Sequence, residues 1–193
     1  MLFSCEKGKA EFTLKGTISD NTFNSALTGG IVSLYEVKVG TNGTTHIGDH
    51  TIQADGAYSF TFPRNMAESF LVTVRKDNYF AKDYSIPFSE MTIEEDNIRN
   101  FSTTAMSWAR LHFITSNPYA ELSYIKQEGK SDCSECCDKN EQFLYGITDL
   151  ELFCANDGNT LYSYLYSIED AGILDVKSAI TPAFDTVSIV LNY

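Results

Sequence analysis

Ala57-Tyr58-Ser59-Phe60-Thr61-Phe62-Pro63 is the stretch that decides how this chain folds. In an extended chain successive side chains point to opposite sides, so Tyr58, Phe60 and Phe62 share one face and Ser59 and Thr61 the other. Pro63 has no N–H to give a ladder and ends the strand. The same alternation recurs on both sides of this segment. Phe12, Leu14 and Ile18 alternate with Thr13, Lys15 and Thr17, while Ile31 to Val39 and His46 to Ala54 are further strands rich in β-branched residues. Thr41-Asn42-Gly43-Thr44 and Asp55-Gly56 supply turns between them, and Phe70, Val72 and Val74 repeat the period before Tyr79 to Ile86. Short strands at regular spacing with turns between them predict an antiparallel sandwich.

The text changes over 88–105, where Glu94-Glu95-Asp96 interrupts any alternation, and a linker with at most a helical turn is expected there. Strand text resumes at Trp108, with Ala109, Leu111 and Phe113 set against Arg110 and His112. Leu122 to Ile125, a Cys-bearing loop from Gly129 to Asn140, Phe143 to Ile147 and Leu150 to Cys154 follow. Asn156-Asp157-Gly158-Asn159 is a hairpin signal, and Leu161 to Ile168 and Thr186 to Tyr193 complete the set. The chain therefore reads as all-β, two antiparallel β-sandwiches in tandem. Residues 1–10 form a tether, 11–87 the first sandwich, 88–105 the linker and 106–193 the second sandwich.

The 193 residues carry a net charge of -12, which excludes nucleic acid as a partner because phosphate binding needs a basic surface. Residues 106–193 hold 13 acids against 5 bases, and residues 1–105 hold 13 against 9, so the more acidic surface belongs to the second half. No apolar run approaches the roughly 18 residues of a membrane-spanning helix.

Leu2-Phe3-Ser4-Cys5 has the pattern left where a bacterial lipoprotein signal peptide meets its cleavage site: a large aliphatic residue, then a small one, then Cys. On that reading Cys5 is the acylated first residue of the mature protein, the partner is a membrane reached through that lipid, and the chain starts just after, or within, a removed signal sequence. Setting Cys5 aside turns an odd cysteine count into an even one, leaving Cys133, Cys136, Cys137 and Cys154. Four cysteines in an exported protein predict two disulfides. Neighbours Cys136 and Cys137 seldom bond each other. Cys154 is therefore expected to pair with one of them and Cys133 with the other.

Residues 12 to about 86 resemble the transthyretin-like, carboxypeptidase-regulatory-like domains of bacterial surface and periplasmic proteins. Leu14-Lys15-Gly16-Thr17-Ile18-Ser19-Asp20, Leu27-Thr28-Gly29-Gly30-Ile31-Val32-Ser33-Leu34-Tyr35, Thr51 to Phe60 and Val72-Thr73-Val74-Arg75 carry the resemblance. The loop from Val37 to His46 is longer and more polar than in such domains, and Pro is sparser. The resemblance implies a seven-stranded sandwich used as a spacer or adhesion module. With the start at Cys5, the whole looks like an outer-membrane lipoprotein of the Bacteroidetes type. Trp108 to Phe113 looks like the opening of the second sandwich often appended to such modules.

Several residues invite chemistry. Cys133-Ser134-Glu135-Cys136 is a C-x-x-C that Cys154 could complete as a zinc site, though disulfides are preferred in an oxidising compartment. His46 and His50 lie four apart on one strand, sharing a face yet too far apart to chelate one ion easily. Asp157 and Asn159 could hold calcium, but a plain turn explains them better. Tyr162, Tyr164 and Tyr166 share one face of a strand; exposed, with Trp108, they would make a platform for sugar rings or a partner, and buried they are an inner layer. No nucleophile elbow, H-E-x-x-H or Walker loop occurs. The expectation is a non-catalytic envelope lipoprotein without metal or cofactor, binding another envelope protein, or alternatively a glycan as an accessory of polysaccharide uptake.

Overall fold

The computed structural model describes residues 10–41 and 43–193. Cys5 and Asn42 lie outside the described residues. The chain divides into two compact units, Met1–Thr103 and Thr104–Tyr193.

In the first unit the strands are β1 (Glu11–Asp20), β2 (Ser25–Ala26), β3 (Ile31–Val37), β4 (Thr44–Thr51), β5 (Ala57–Pro63), β6 (Ser69–Arg75), β7 (Lys82–Pro87), β8 (Asn97–Ile98) and β9 (Phe101–Thr103). One sheet has β1 at its centre, with β5 and then β2 pairing along one side and β8 and β9 along the other; the second runs β4-β3-β6-β7. The alternating aromatics do what their spacing predicts. Phe12 and Phe62 from one sheet close on Phe70 from the other, with ring centroids 5.1–5.8 Å apart. Edge-on packing of this kind adds to the burial of three large rings.

Residues 88–105 are not a linker. After one 3₁₀ turn at Phe88–Glu90 the chain returns alongside β1, and β8 and β9 pair with it in parallel. This covers an edge of β1 that would otherwise expose unpaired backbone. Buried Asn97 holds the return in place: its Nδ2 donates to Thr13 O and Thr92 O, and its Oδ1 accepts from Thr92 N. Among the described residues the unit thus has nine strand segments rather than seven, two of them pairing in parallel with β1.

In the second unit the strands are β10 (Met106–Ile114), β11 (Glu121–Glu128), β12 (Gln142–Tyr145), β13 (Asp149–Asp157), β14 (Thr160–Ile168), β15 (Ile173–Thr181) and β16 (Thr186–Asn192). Three form the sheet β13-β10-β16 and four the sheet β12-β11-β14-β15. The core between them is one cluster containing Leu111 and Phe113 from β10, Leu122 and Tyr124 from β11, the three β14 tyrosines, and Ile189 and Leu191 from β16. Phe113 meets Tyr124 at 4.8 Å and Tyr164 at 5.6 Å.

Two expectations are corrected here. β10 and β16 run parallel, so this sandwich, like the first, is not wholly antiparallel. Asn156-Asp157-Gly158-Asn159 is not a hairpin turn, because β13 and β14 lie in opposite sheets. The turn's amides go to other strands, Gly158 N to Ala105 O and Asn159 N to Thr181 O, so it acts as a corner from one sheet to the other.

Candidate functional site

The Cys-bearing loop between β11 and β12 is fastened to the second unit's core. Cys137 is disulfide-bonded to Cys154 on β13, and Cys133 to Cys136. Two disulfides are thus formed, and Cys154 pairs with Cys137 of the two adjacent residues. Oxidised sulfurs offer no thiolate, which removes the zinc alternative. The loop's inner cation is organic: the buried Lys126 ammonium donates to Lys130 O, Cys136 O and Cys137 O at 2.7–2.8 Å. Burial pushes the pKa of this ammonium down, opposed by the charges of Asp138 and Asp132.

The other candidates are accounted for singly. His46 bonds Asp49 at 2.9 Å. A register shift at Leu34/Tyr35 pairs His50 with Val32 but His46 with Tyr35, so the two histidines lie on opposite faces and cannot share an ion. His112 Nε2 lies 2.8 Å from Asp149 Oδ1, and Arg110 pairs with Glu151, giving a charged row on the outer face of β10 and β13. Asp157, where calcium is the less favoured reading, receives two contacts from Lys130 Nζ, at 2.9 and 3.0 Å, and another from the Thr104 hydroxyl. No group of three metal-capable side chains occurs among the described residues.

Tyr162, Tyr164 and Tyr166 are buried and face the core, so they form no exposed platform. Burial, the largest cause in each case, pushes their hydroxyl pKa values up. Half-buried Trp108 belongs to the opposite sheet and pairs with Ala155 and Thr186. The structure does not bring it together with the tyrosines. A cleft of about 500 Å³ in the first unit is lined by Lys15, Thr17, His50, Tyr58, Ile98 and Asn100. Two of its polar groups are already engaged: Asn100 Oδ1 accepts from Thr17, and Lys15 pairs with Asp96.

The feature that sequence reasoning missed is the solvent side of β12-β11-β14-β15. By register, Leu174, Val176 and Ile180 of β15 stand opposite Ser167, Leu165 and Leu161 of β14, on the side away from the buried tyrosines. Asp175 and Lys177 stand opposite Tyr166 and Tyr164, on the inner side. β15 is therefore inverted, with its apolar residues outward and its charges toward the core edge. Leu174 is 68% exposed and Ile180 64%. The row of Val176 and Leu165 continues to Ile125, and Phe143, 73% exposed, stands in the neighbouring row opposite Ser123. Beside Phe143 and Tyr145 lies a depression of about 420 Å³ bordered by Glu121, Glu141 and Glu169. The available signal was the nine residues after Gly172 without Pro or Gly. Their inverted pattern resembles no core strand.

No protein-family model matches the chain, and no curated protein matches it. Among solved structures it is similar to the Bacillus anthracis TIE protein, at 12% identity and a TM-score of 0.37 over 95% of this chain and 34% of that one. It is also similar to GBS52, the minor pilin of Streptococcus agalactiae, at 8% identity and a TM-score of 0.38 over 94% of each chain. A third similarity is to a 9R-lipoxygenase from Cyanothece PCC8801, at 13% identity and a TM-score of 0.35 over 48% of this chain. The chain spans only 16% of the length of the lipoxygenase and about a third of that of the TIE protein. At these scores the likenesses assign neither family nor function.

Proposed function

We propose that the chain is a non-catalytic lipoprotein of the cell envelope, anchored through Cys5, that serves as a structural or protein-interaction module. The observation that carries this reading is the pair of disulfides in the second unit, since such bonds form and persist in exported proteins. The rest of the inventory agrees with a module rather than an enzyme. Every cysteine among the described residues is oxidised, His46 and His112 are tied to surface carboxylates, and the core clusters are apolar and aromatic. The transthyretin-like character of the first unit and the outer-membrane placement belong to this proposal and rest on the motifs in residues 12–86 and on Leu2 to Cys5. A protein partner is preferred to a glycan because the tyrosine row is buried. The test is fractionation of cells expressing the chain behind a lipoprotein signal peptide. It should sediment with membranes and Cys5→Ala should release it; identical soluble fractions for both forms overturn the anchor.

A further inference from the structure

We infer that the outer face of β12-β11-β14-β15 is a docking surface for a cationic, apolar segment of another protein, one whose basic residues flank or alternate with its aliphatic ones. The inference deepens the interaction-module reading and rests on it for the existence of a partner. An inverted edge strand is the starting point. Burying Leu174, Val176 and Ile180 inward and exposing Asp175 and Lys177 would be the stable arrangement for a strand with one solvated face. The observed register turns those three outward and sets Asp175 and Lys177 on the inner side, where the edge position leaves Asp175 exposed and Lys177 half-buried. It leaves an apolar row across three strands, Val176, Leu165 and Ile125, with Leu174 beside it on β15 and Phe143 diagonal to Ile125 on β12. Contiguous apolar surface on a soluble face marks an interaction site.

Size and charge choose the occupant. Three inter-strand steps across the sheet and six residues along β15 give a patch of roughly 14 by 20 Å. That is well below the ~800 Å² per partner of a stable protein dimer, and suits one extended or helical segment. Acids border the patch: Glu121, Glu141 and Glu169 surround the depression beside Phe143 and Tyr145. On β15 itself Lys177, the only base, stands on the inner side. A second copy docked face to face would bring glutamates against glutamates. A basic segment would place ammonium or guanidinium groups among those carboxylates and against the two rings, while its aliphatic side chains covered Val176 and Ile180.

The test uses the full chain and two labelled synthetic peptides, one alternating Leu with Lys and one alternating Leu with Glu, read by fluorescence anisotropy. The Leu-Lys peptide should saturate, and the Leu-Glu peptide should not. Val176→Glu and Ile180→Glu should each weaken the Leu-Lys peptide at least tenfold although each makes the protein more acidic. Ser188→Glu, exposed on the opposite sheet, should not weaken it. Unspecific attraction to an acidic protein would instead strengthen binding in all three variants, and that result overturns the proposal. A dimer in sedimentation velocity that Val176→Glu dissolves also overturns it, because the occupant is then a second copy. Peptide docking with unaltered fractionation of Cys5→Ala removes the anchor and leaves the face standing. Inert face variants in a membrane-bound protein remove the face alone.

Discussion

Two tyrosines show how unequally hydroxyl groups contribute once buried. Tyr79 donates to Asp20 Oδ2 at 2.6 Å in a buried setting, while Asp20 Oδ1 also accepts from Thr22 N. Desolvation first, and the Asp20 carboxylate second, push the Tyr79 pKa up. The buried Tyr164 hydroxyl, by contrast, has no hydrogen-bond partner among the described residues. A hydrogen bond to a charged group contributes about 1.5–3 kcal/mol, whereas an unpartnered buried hydroxyl contributes nothing and carries its desolvation cost. Tyr79→Phe should therefore lower unfolding free energy by about 2 kcal/mol. Tyr164→Phe should leave it unchanged or raise it by up to about 1 kcal/mol, both read from urea titrations. A larger loss in Tyr164→Phe than in Tyr79→Phe would contradict this assignment.

Among the elements, β1 is the one on which the first unit is assembled, and Gly16 is why it can be. Between β8 and β9 the returning chain passes so close that a Cβ on Gly16 would lie 1.8 Å from Arg99 O. Asn100 Oδ1 is clamped there by Thr17 N at 2.9 Å. Gly16→Ala should force the 99–100 crossing outward and lose about 1–3 kcal/mol, as overpacking does. Amide exchange should show the loss at Asn97 to Thr103 before the rest of β1, and uniform loss over the unit would contradict it. The role was half-legible: Gly in an otherwise regular strand signals a close backbone approach, but the partner lay 83 residues away in a stretch read as a linker. β15 was hidden for the opposite reason, since its apolar residues point the way a core strand's do not.

At the scale of the whole molecule, covalent reinforcement is one-sided. All four bonded cysteines lie in the unit Thr104–Tyr193. Cys137–Cys154 closes a separation of 17 residues, and a loop of that length is stabilised by about 3 kcal/mol. Reductant should accordingly lower exchange protection in β13 and β14 and leave β1 and β5 unchanged; Cys137→Ala should reproduce the effect without reductant. Equal loss in both units would show that the bridges do not act locally. Lys126 keeps the reduced loop partly in place through its three carbonyl contacts. Lys126→Met in reducing buffer should therefore lower the exchange protection of residues 131–141 further, with Lys130 still held by Asp157 and Asn156.

Alternation by itself determined that the chain folds into β-sandwiches, and cysteine parity that the second half carries two bridges. Those properties follow from period-two geometry and from cysteine parity, and both are local to the text. Only the tertiary structure decided that 97–103 completes a sheet, that Asn156 to Asn159 turns between sheets, and that the tyrosines are interior while Leu174 and Ile180 are not. A strand's pattern says that its two faces differ; which face meets water depends on the neighbouring strands, and these arrive from distant parts of the chain.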